Sequence, residues 1–467
     1  MRRLSSFILF CLVSAFVSLA MTLQDAKNLY RKGEYAKALP EFERQYKKNP
    51  RNASINHWLG VCLFYEGKYA RAEKYLIYAD KKEVRESAYY LARLYYIQYR
   101  GAEAIEYAEK YEASFDDSKK ETIPASKARE LELIKRAASM MDHVDNIEVI
   151  DSMVVEKDKF FSYYRISPEA GCIESADVLP EGFDNNTGVV FLPETRSSMM
   201  WSMTDSVGVS HIVESTMLHD KSWDKPHIVG DNLGEGGDVC YPFMMPDGAT
   251  LYFAGNGDNS IGGYDIFMTR RDSESLEYYK PQNMGYPYNS PYDDYLLVID
   301  EFTGIGWWAT DRNRIDDMLT IYIFKSREVR DNYSTDNPNL PSLAALRSIK
   351  DTWREGADYS ALLDAIAAIE DVEPMVEREF EFELPNGKIY YNFDDFKSAD
   401  ARKLMTDLVE LQSTLGSKER RLEELRTKYA SNRSAALGRN ILQLENEVES
   451  LRSSIFNMSN KIRTIEK

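Results

Sequence analysis

The sequence is poor in the residues that most directly reveal chemistry. Histidine occurs five times, at His57, His143, His211, His219 and His227. The last three are spaced by eight, which puts them on no shared helical or short-strand face, as a ligand set would require. Cysteine occurs four times, and Cys11 lies in an apolar N-terminal run. Cys62, Cys172 and Cys240 remain, an odd number that excludes a disulfide framework while leaving a single Cys172–Cys240 bridge open. Basic charge is scarce too: 58 Lys+Arg against 76 Asp+Glu leave a net charge of −18. No basic face is available to neutralise phosphates, so nucleic acid is excluded as a partner. The chain has no Gly-x-Ser-x-Gly elbow, no phosphate-cradling glycine loop and no His-Glu-x-x-His pair. The expectation is a protein that is not an enzyme and needs neither cofactor nor metal.

What is present begins with a leader pattern. Arg2-Arg3 precedes an apolar run from Leu4 to Leu19, and Ser18-Leu-Ala20 is a small-x-small cleavage site. The run is too short to span a bilayer comfortably, and Phe10 before Cys11 does not suit lipid attachment. Residues 1–20 are therefore expected to be a cleaved export signal, with membrane contact only peripheral. At 467 residues the chain has room for about three domains.

Residues 146–330 read as strands. The most legible stretch runs from Asp238 through the turn Pro246-Asp247-Gly248 to Leu251-Tyr-Phe, then to Gly262-Gly-Tyr-Asp-Ile-Phe267. Degenerate copies place Trp201, Phe253 and Trp308 in equivalent positions, and Ile212, Ile266 and Ile321 in another such set. The offsets are 52 to 55 residues, one four-stranded blade with generous loops. This unit resembles the TolB-type periplasmic propeller repeat, which implies a β-propeller. At that period the zone holds three clear blades and part of a fourth, an uncomfortable count for a closed ring.

Residues 21–145 are helical with a 34-residue echo. Gly33-Glu-Tyr-Ala-Lys-Ala38 returns as Gly67-Lys-Tyr-Ala-Arg-Ala72, Phe42 matches Leu76, and a shortened third copy runs through Leu91-Ala92, Tyr95, Gly101 and Ala104. The pattern resembles a tetratricopeptide array of three repeats, an α-solenoid closed by a helix from Ala125 to Met140. That resemblance implies a partner-binding groove lined by the first helix of each repeat. Mapped by spacing, its residues are Lys27, Tyr30, Arg31, His57, Phe64, Tyr65, Tyr89, Arg93 and Tyr96. Aromatics interleaved with cations suit an extended acidic or aromatic-containing peptide, while packing between repeats is the competing role for the same rings.

Beyond the strands, residues 331–377 read as a linker followed by helices, and 378–398 as a β-hairpin around Pro385-Asn-Gly387. Residues 399–467 carry heptads. Leu437, Ile441, Leu444, Val448, Leu451, Ile455, Met458, Ile462 and Ile465 alternate spacings of 4 and 3, a coiled-coil stripe. An earlier stripe in another phase begins at Leu404, with Ser431–Ser434 and Gly438 between the two. The expectation is self-association through Leu437–Lys467, with an antiparallel fold-back as the rival arrangement.

The fold class is thus multidomain α and β: an α-solenoid, a propeller-like β domain and C-terminal coiled-coil helices. The combination resembles envelope proteins of Bacteroidota-type bacteria, without the OmpA-type C-terminal domain that some of these carry. It implies a non-enzymatic scaffold in the periplasm or at the outer-membrane periphery. Its partners would be envelope proteins or peptides, or a second copy, in support of secretion or outer-membrane assembly. The rival is a glycan-binding or glycan-processing propeller using Trp201, Trp223, Trp307 and Trp308. The loop Asn256–Gly263 opens like a calcium loop but has no glutamate at its twelfth position, and Asp265, Asp293, Asp294 and Asp311 suit turn-capping better than acid–base work.

Overall fold

A computed structural model describes residues 21–115, 121–218, 221–230, 232–327, 329–367, 382–384, 388–390, 392–431 and 433–466. The expected leader, and the expected hairpin and linker at 368–381, 385–387 and 391, lie outside the described residues.

Local chemistry sets the ends of the first helices. Thr22 Oγ1 accepts from the Asp25 N–H at 3.2 Å while Asp25 Oδ2 accepts from the Thr22 N–H at 3.0 Å. This reciprocal cap opens α1 (Leu23–Arg31), and Asn52 accepts from the Ile55 N–H to open α3 (Ala53–Tyr65). Gly33 and Gly67, at φ 78° and 67°, turn the chain into α2 (Tyr35–Lys48) and α4 (Tyr69–Asp80). A third pair follows, α5 (Arg85–Ile97) and α6 (Gly101–Ala113), and α7 (Ala125–Met140) stacks on both. Ala26, Ala38, Ala72, Ala92 and Ala104 are buried where helices approach, and Phe42 and Leu76 fill the gaps beside them. Each helix alone would leave an apolar face in water; stacking removes it.

The sheets follow the same logic at a longer period. The first holds β2 (Cys172–Ser175), β3 (Val189–Leu192), β4 (Ser198–Thr204), β5 (Ser210–Thr216) and β6 (His227–Ile228), paired in that order. The second holds β7 (Val239–Met244), β8 (Thr250–Gly255), β9 (Asp265–Arg270) and β10 (Gln282–Asn283). The third pairs β11 (Asp294–Asp300), β12 (Ile305–Thr310) and β13 (Met318–Lys325) with β1 (Glu148–Glu156), brought from the start of the domain. Trp201, Phe253 and Trp308 lie on β4, β8 and β12, opposite Val213, Phe267 and Tyr322, so the repeat period marks one sheet each. The sheets share a core that includes Phe191, Phe243, Phe253, Trp307 and Ile321.

Two features go beyond what composition shows. The stretch from 331 begins as part of the β domain and not as a free linker. It carries α8 (Leu340–Ala344) and α9 (Ser360–Ala367), and covers the edge of β1: Thr352 Oγ1 accepts from the Val149 N–H at 3.0 Å, and Trp353 Nε1 donates to the Val149 carbonyl at 2.7 Å. Cys172 and Cys240 stay free and buried, one on β2 and the other on β7, so no bridge joins them.

A second compact unit contains β14 (Phe382–Glu383) paired with β15 (Ile389–Tyr390), then α10 (Ala399–Ser431) and α11 (Ala435–Ile465). The two helices run antiparallel, tied by Lys418–Glu447, by Arg426–Glu445 at 2.8 Å and by Arg452–Glu419 at 2.6 Å. Ile441, Val448 and Ile462 are buried in this hairpin, while Leu437, Leu444, Leu451, Ile455 and Met458 are half-buried and Ile465 is exposed. The heptad stripe is therefore met largely by the fold-back, which removes the physical need for a second copy that argued for self-association.

Two glycines in helices give opposite expectations. A Cβ on Gly60 would lie 2.7 Å from Cγ of the buried Leu76, whereas one on Gly416 would meet nothing within 4 Å. Gly60→Ala should cost roughly 1–2 kcal/mol net of the propensity gain, and Gly416→Ala should gain up to about 1 kcal/mol. Urea unfolding followed by circular dichroism measures both; stabilisation by Gly60→Ala would contradict the packing described.

Candidate partner-binding surface of the helical array

The first helix of each pair places its side chains on one continuous face. At its centre Arg93 of α5 lies against four rings: its guanidinium carbon is 4.9 Å from the ring centre of Phe64, 5.5 Å from Tyr65 and Tyr90, and 5.6 Å from Tyr89. Arg93 Nε is 2.6 Å from Glu130 Oε1 on α7, and Nη1 donates to the Tyr65 hydroxyl at 3.0 Å. Burial opposes this charge, but Glu130 and Tyr65 more than offset it, so the guanidinium is held firmly protonated. Tyr89 donates its hydroxyl to Glu130 as well.

The ring network extends toward α1. Tyr35 stacks flat on Tyr65, with centres 4.0 Å apart and planes 1° apart, and Tyr30 meets Tyr35 edge-on at 5.5 Å. Tyr30 also shares a hydrogen bond with His57 Nε2 at 3.3 Å, and His57 Nδ1 shares one with Ser87 Oγ at 3.0 Å. Burial lowers the His57 pKa to about 4, with Glu86 pulling it up and Lys127 pushing it down by smaller amounts. Lys27 Nζ sits 4.6 Å above the Trp58 ring.

The nine residues expected to line the groove therefore divide. Arg31 and Tyr65 are exposed, Tyr65 at 44%, and Lys27, Tyr30 and Arg93 are half-buried on the same face. His57, Phe64 and Tyr89 are buried and support that face from beneath. Tyr96 turns to the sheets, where its hydroxyl donates to the Ile261 carbonyl. Spacing alone missed Tyr35, Tyr90 and Glu130. Tyr35 belongs to the Gly-x-Tyr signature, which marks it as a repeat position and so carries the signal that could have found it. The cations are also less free than the composition implied: Glu130 neutralises Arg93, and Glu86 pairs with Lys127. The accessible surface is more aromatic than basic.

Elsewhere, side chains with chemical promise are committed to the fold. Asp238 Oδ1 accepts from the Ser210 N–H and Asp293 Oδ1 from the Tyr264 N–H, both at 2.8 Å, each tying one sheet to the preceding one. Asp311 accepts from the Asp293 N–H at 2.9 Å, and Asp294 pairs with the buried Arg312 at 2.9 Å. Asp265 accepts from the Ile261 and Gly262 N–H groups, and in the loop resembling a calcium site Asn256 Oδ1 accepts from the Asp238 N–H at 2.6 Å while Ser260 donates to the Gly255 carbonyl at 2.9 Å. His211 sits 3.0 Å from Asp205 and His227 3.8 Å from Glu214, in separate pairs; His219 is outside the described residues. Trp201, Trp307 and Trp308 are 0% exposed and offer no face to a sugar; Trp223 is half-buried against the Trp201 cluster.

A family model described as the tetratricopeptide repeat matches residues 23–82, the stretch spanning α1 to α4. No curated protein and no solved structure matches the chain.

The state of His57 predicts a pH dependence. Its folded-state pKa lies below the ordinary value of 6.5, so the unfolded chain takes up the proton first as the solution is acidified. This stabilisation is complete above about pH 6.5 and is lost progressively down to about pH 4, amounting to roughly 3 kcal/mol. His57→Gln should flatten that part of the profile in urea unfolding between pH 7 and pH 4. An unchanged slope would show that the imidazole is not held neutral.

Proposed function

We propose that this chain is a non-enzymatic adaptor exported to the bacterial cell envelope, holding partner proteins on its helical array and on its β domain. The three sheets are then blades of a TolB-type propeller, and α10 and α11 form an intramolecular coiled coil. The observation that carries the reading is the tetratricopeptide match at 23–82, combined with a continuous face from α1 to α7 whose rings rest on a buried support. Repeats of this kind mediate protein–protein interactions. Export is supported by the leader pattern of residues 1–20, and the periplasm or outer-membrane periphery is the matching site of action.

The recognised segment is an extended peptide bearing aromatic side chains. Tyr65 and Tyr35 offer a flat stacked pair, and Arg31 and Lys27 add cationic character at the edge. Stacking on such rings contributes binding energy at low entropy cost because a tyrosine has few rotatable bonds.

Crosslinking in the native envelope followed by mass spectrometry should identify one or more proteins attached to residues of α1 and α3. Tyr65→Ala combined with Arg31→Glu should reduce that capture about tenfold or more, with the thermal midpoint of the chain little changed. Undiminished capture by the double variant would place the partner surface elsewhere.

A further inference from the structure

The β domain carries a second surface whose chemistry is unlike that of the array. Between the first and second sheets lies a cleft of about 240 Å³. Its floor is apolar: Phe191 of β3, Met200 of β4, and Met244 and Met245 at the end of β7. Its rim is acidic, formed by Glu169, Glu194 and Glu214. Glu169 and Glu194 are exposed and have no ion-pair partner among the described residues, and Glu214 lies 3.8 Å from His227. One cation, Arg271, reaches the rim and donates to the Gly248 carbonyl at 3.0 Å. Glu214 and Arg271 also border a second cleft of about 620 Å³, beside the exposed Ile228 and Leu276.

These features together define an occupant. A methionine floor adapts its shape to an unbranched chain better than branched residues do. Three carboxylates above it, against one arginine, favour a positive head group and disfavour a negative one. A long aliphatic stem ending in a cation is the side chain of lysine or arginine, which lays its methylenes on apolar surface and keeps its charge at the rim. The volume suits one such side chain and not a folded domain. We infer that this cleft receives a lysine or arginine side chain of a partner polypeptide, as an anchor independent of the helical array. The proposal goes beyond the peptide-binding reading of the array and stands without it.

The test uses the full chain labelled with ¹³C at its methionine methyl groups, titrated with Nα-acetyl-lysine methylamide. Nα-acetyl-norleucine methylamide, with a similar stem and no charge, is the control. The Met200, Met244 and Met245 methyl resonances should move saturably with the lysine compound, with an affinity about fivefold above that for the norleucine compound. Glu194→Gln with Glu214→Gln should erase that preference, and Tyr65→Ala should leave it intact. If the double variant does not fold, Glu169→Gln alone should halve the preference or more. Three outcomes overturn the proposal: no movement of these methyls, equal affinity for the two compounds, or a preference that survives removal of the carboxylates. Loss of partner capture by the array with this titration intact would sink the first reading only.

Discussion

The arrangement of the larger unit depends on one buried seam, where two tyrosines near the end of α5 meet loops of the second sheet. Tyr96 donates its hydroxyl to the Ile261 carbonyl, and the Tyr99 ring lies 5.4 Å from that of Tyr286. Both loops are fixed from behind. Asp265, fully buried, holds the Ile261 and Gly262 amides, and Arg312 donates to the carbonyls of Pro287 and Tyr288 at 2.8 Å. Ala137, Met141 and Val144 close the seam with Leu340 and Ala344. Opening the seam would return this apolar cluster to water and break the Tyr96 hydrogen bond, while the loops it rests on stay fixed within the sheets. The helical array is therefore seated on the sheets and does not hang from a linker.

Much of the fold was legible because short-range signals and long-range packing agree. The Gly33 and Gly67 turns and the buried Phe42 and Leu76 all sit where the 34-residue echo put them. Trp201, Phe253 and Trp308 marked equivalent strands for the same reason. What was not legible depends on which partner covers a face, and periodicity carries no such information. β1 pairs with β13 across more than 150 residues of chain, with Glu148 opposite Lys325, and nothing local in either strand announces it. The packing of Thr352 and Trp353 on β1 is equally nonlocal: composition marks helices there and says nothing of the strand edge they cover.

The candidate site shows the same boundary. Spacing placed nine residues on the first helices, and the helix assignments hold for all of them. Yet an aromatic at a groove position can face solvent, as Tyr65 does, or sit beneath its neighbours, as Phe64 does at 4% exposure. Adjacent positions on one helix differ only by a rotation of about 100°. Whether that rotation points to water is decided by the next helix pair, outside any local window. The heptad stripe posed the same ambiguity in another form: an apolar seam must be covered, and the fold-back brings α10 to it.

The acidity of the chain acquires a meaning once its carboxylates are sorted by what they touch. Aspartates at strand starts, such as Asp238 and Asp293, bond backbone amides of the neighbouring sheet and so act as fixed staples. Buried glutamates such as Glu148, which pairs with Arg327 and Arg354, secure the covered edge of β1. Glu86 and Glu130 neutralise the cations of the array. Charge used in this way specifies the fold and is unavailable to a ligand. Glu169 and Glu194 are different: they stand on the rim of an apolar cleft with no structural partner among the described residues. A carboxylate in water at such a position adds nothing to folding, and like charges beside one another slightly oppose it. What sets them apart is the apolar floor beneath them, the combination on which the proposed recognition of a cationic side chain rests.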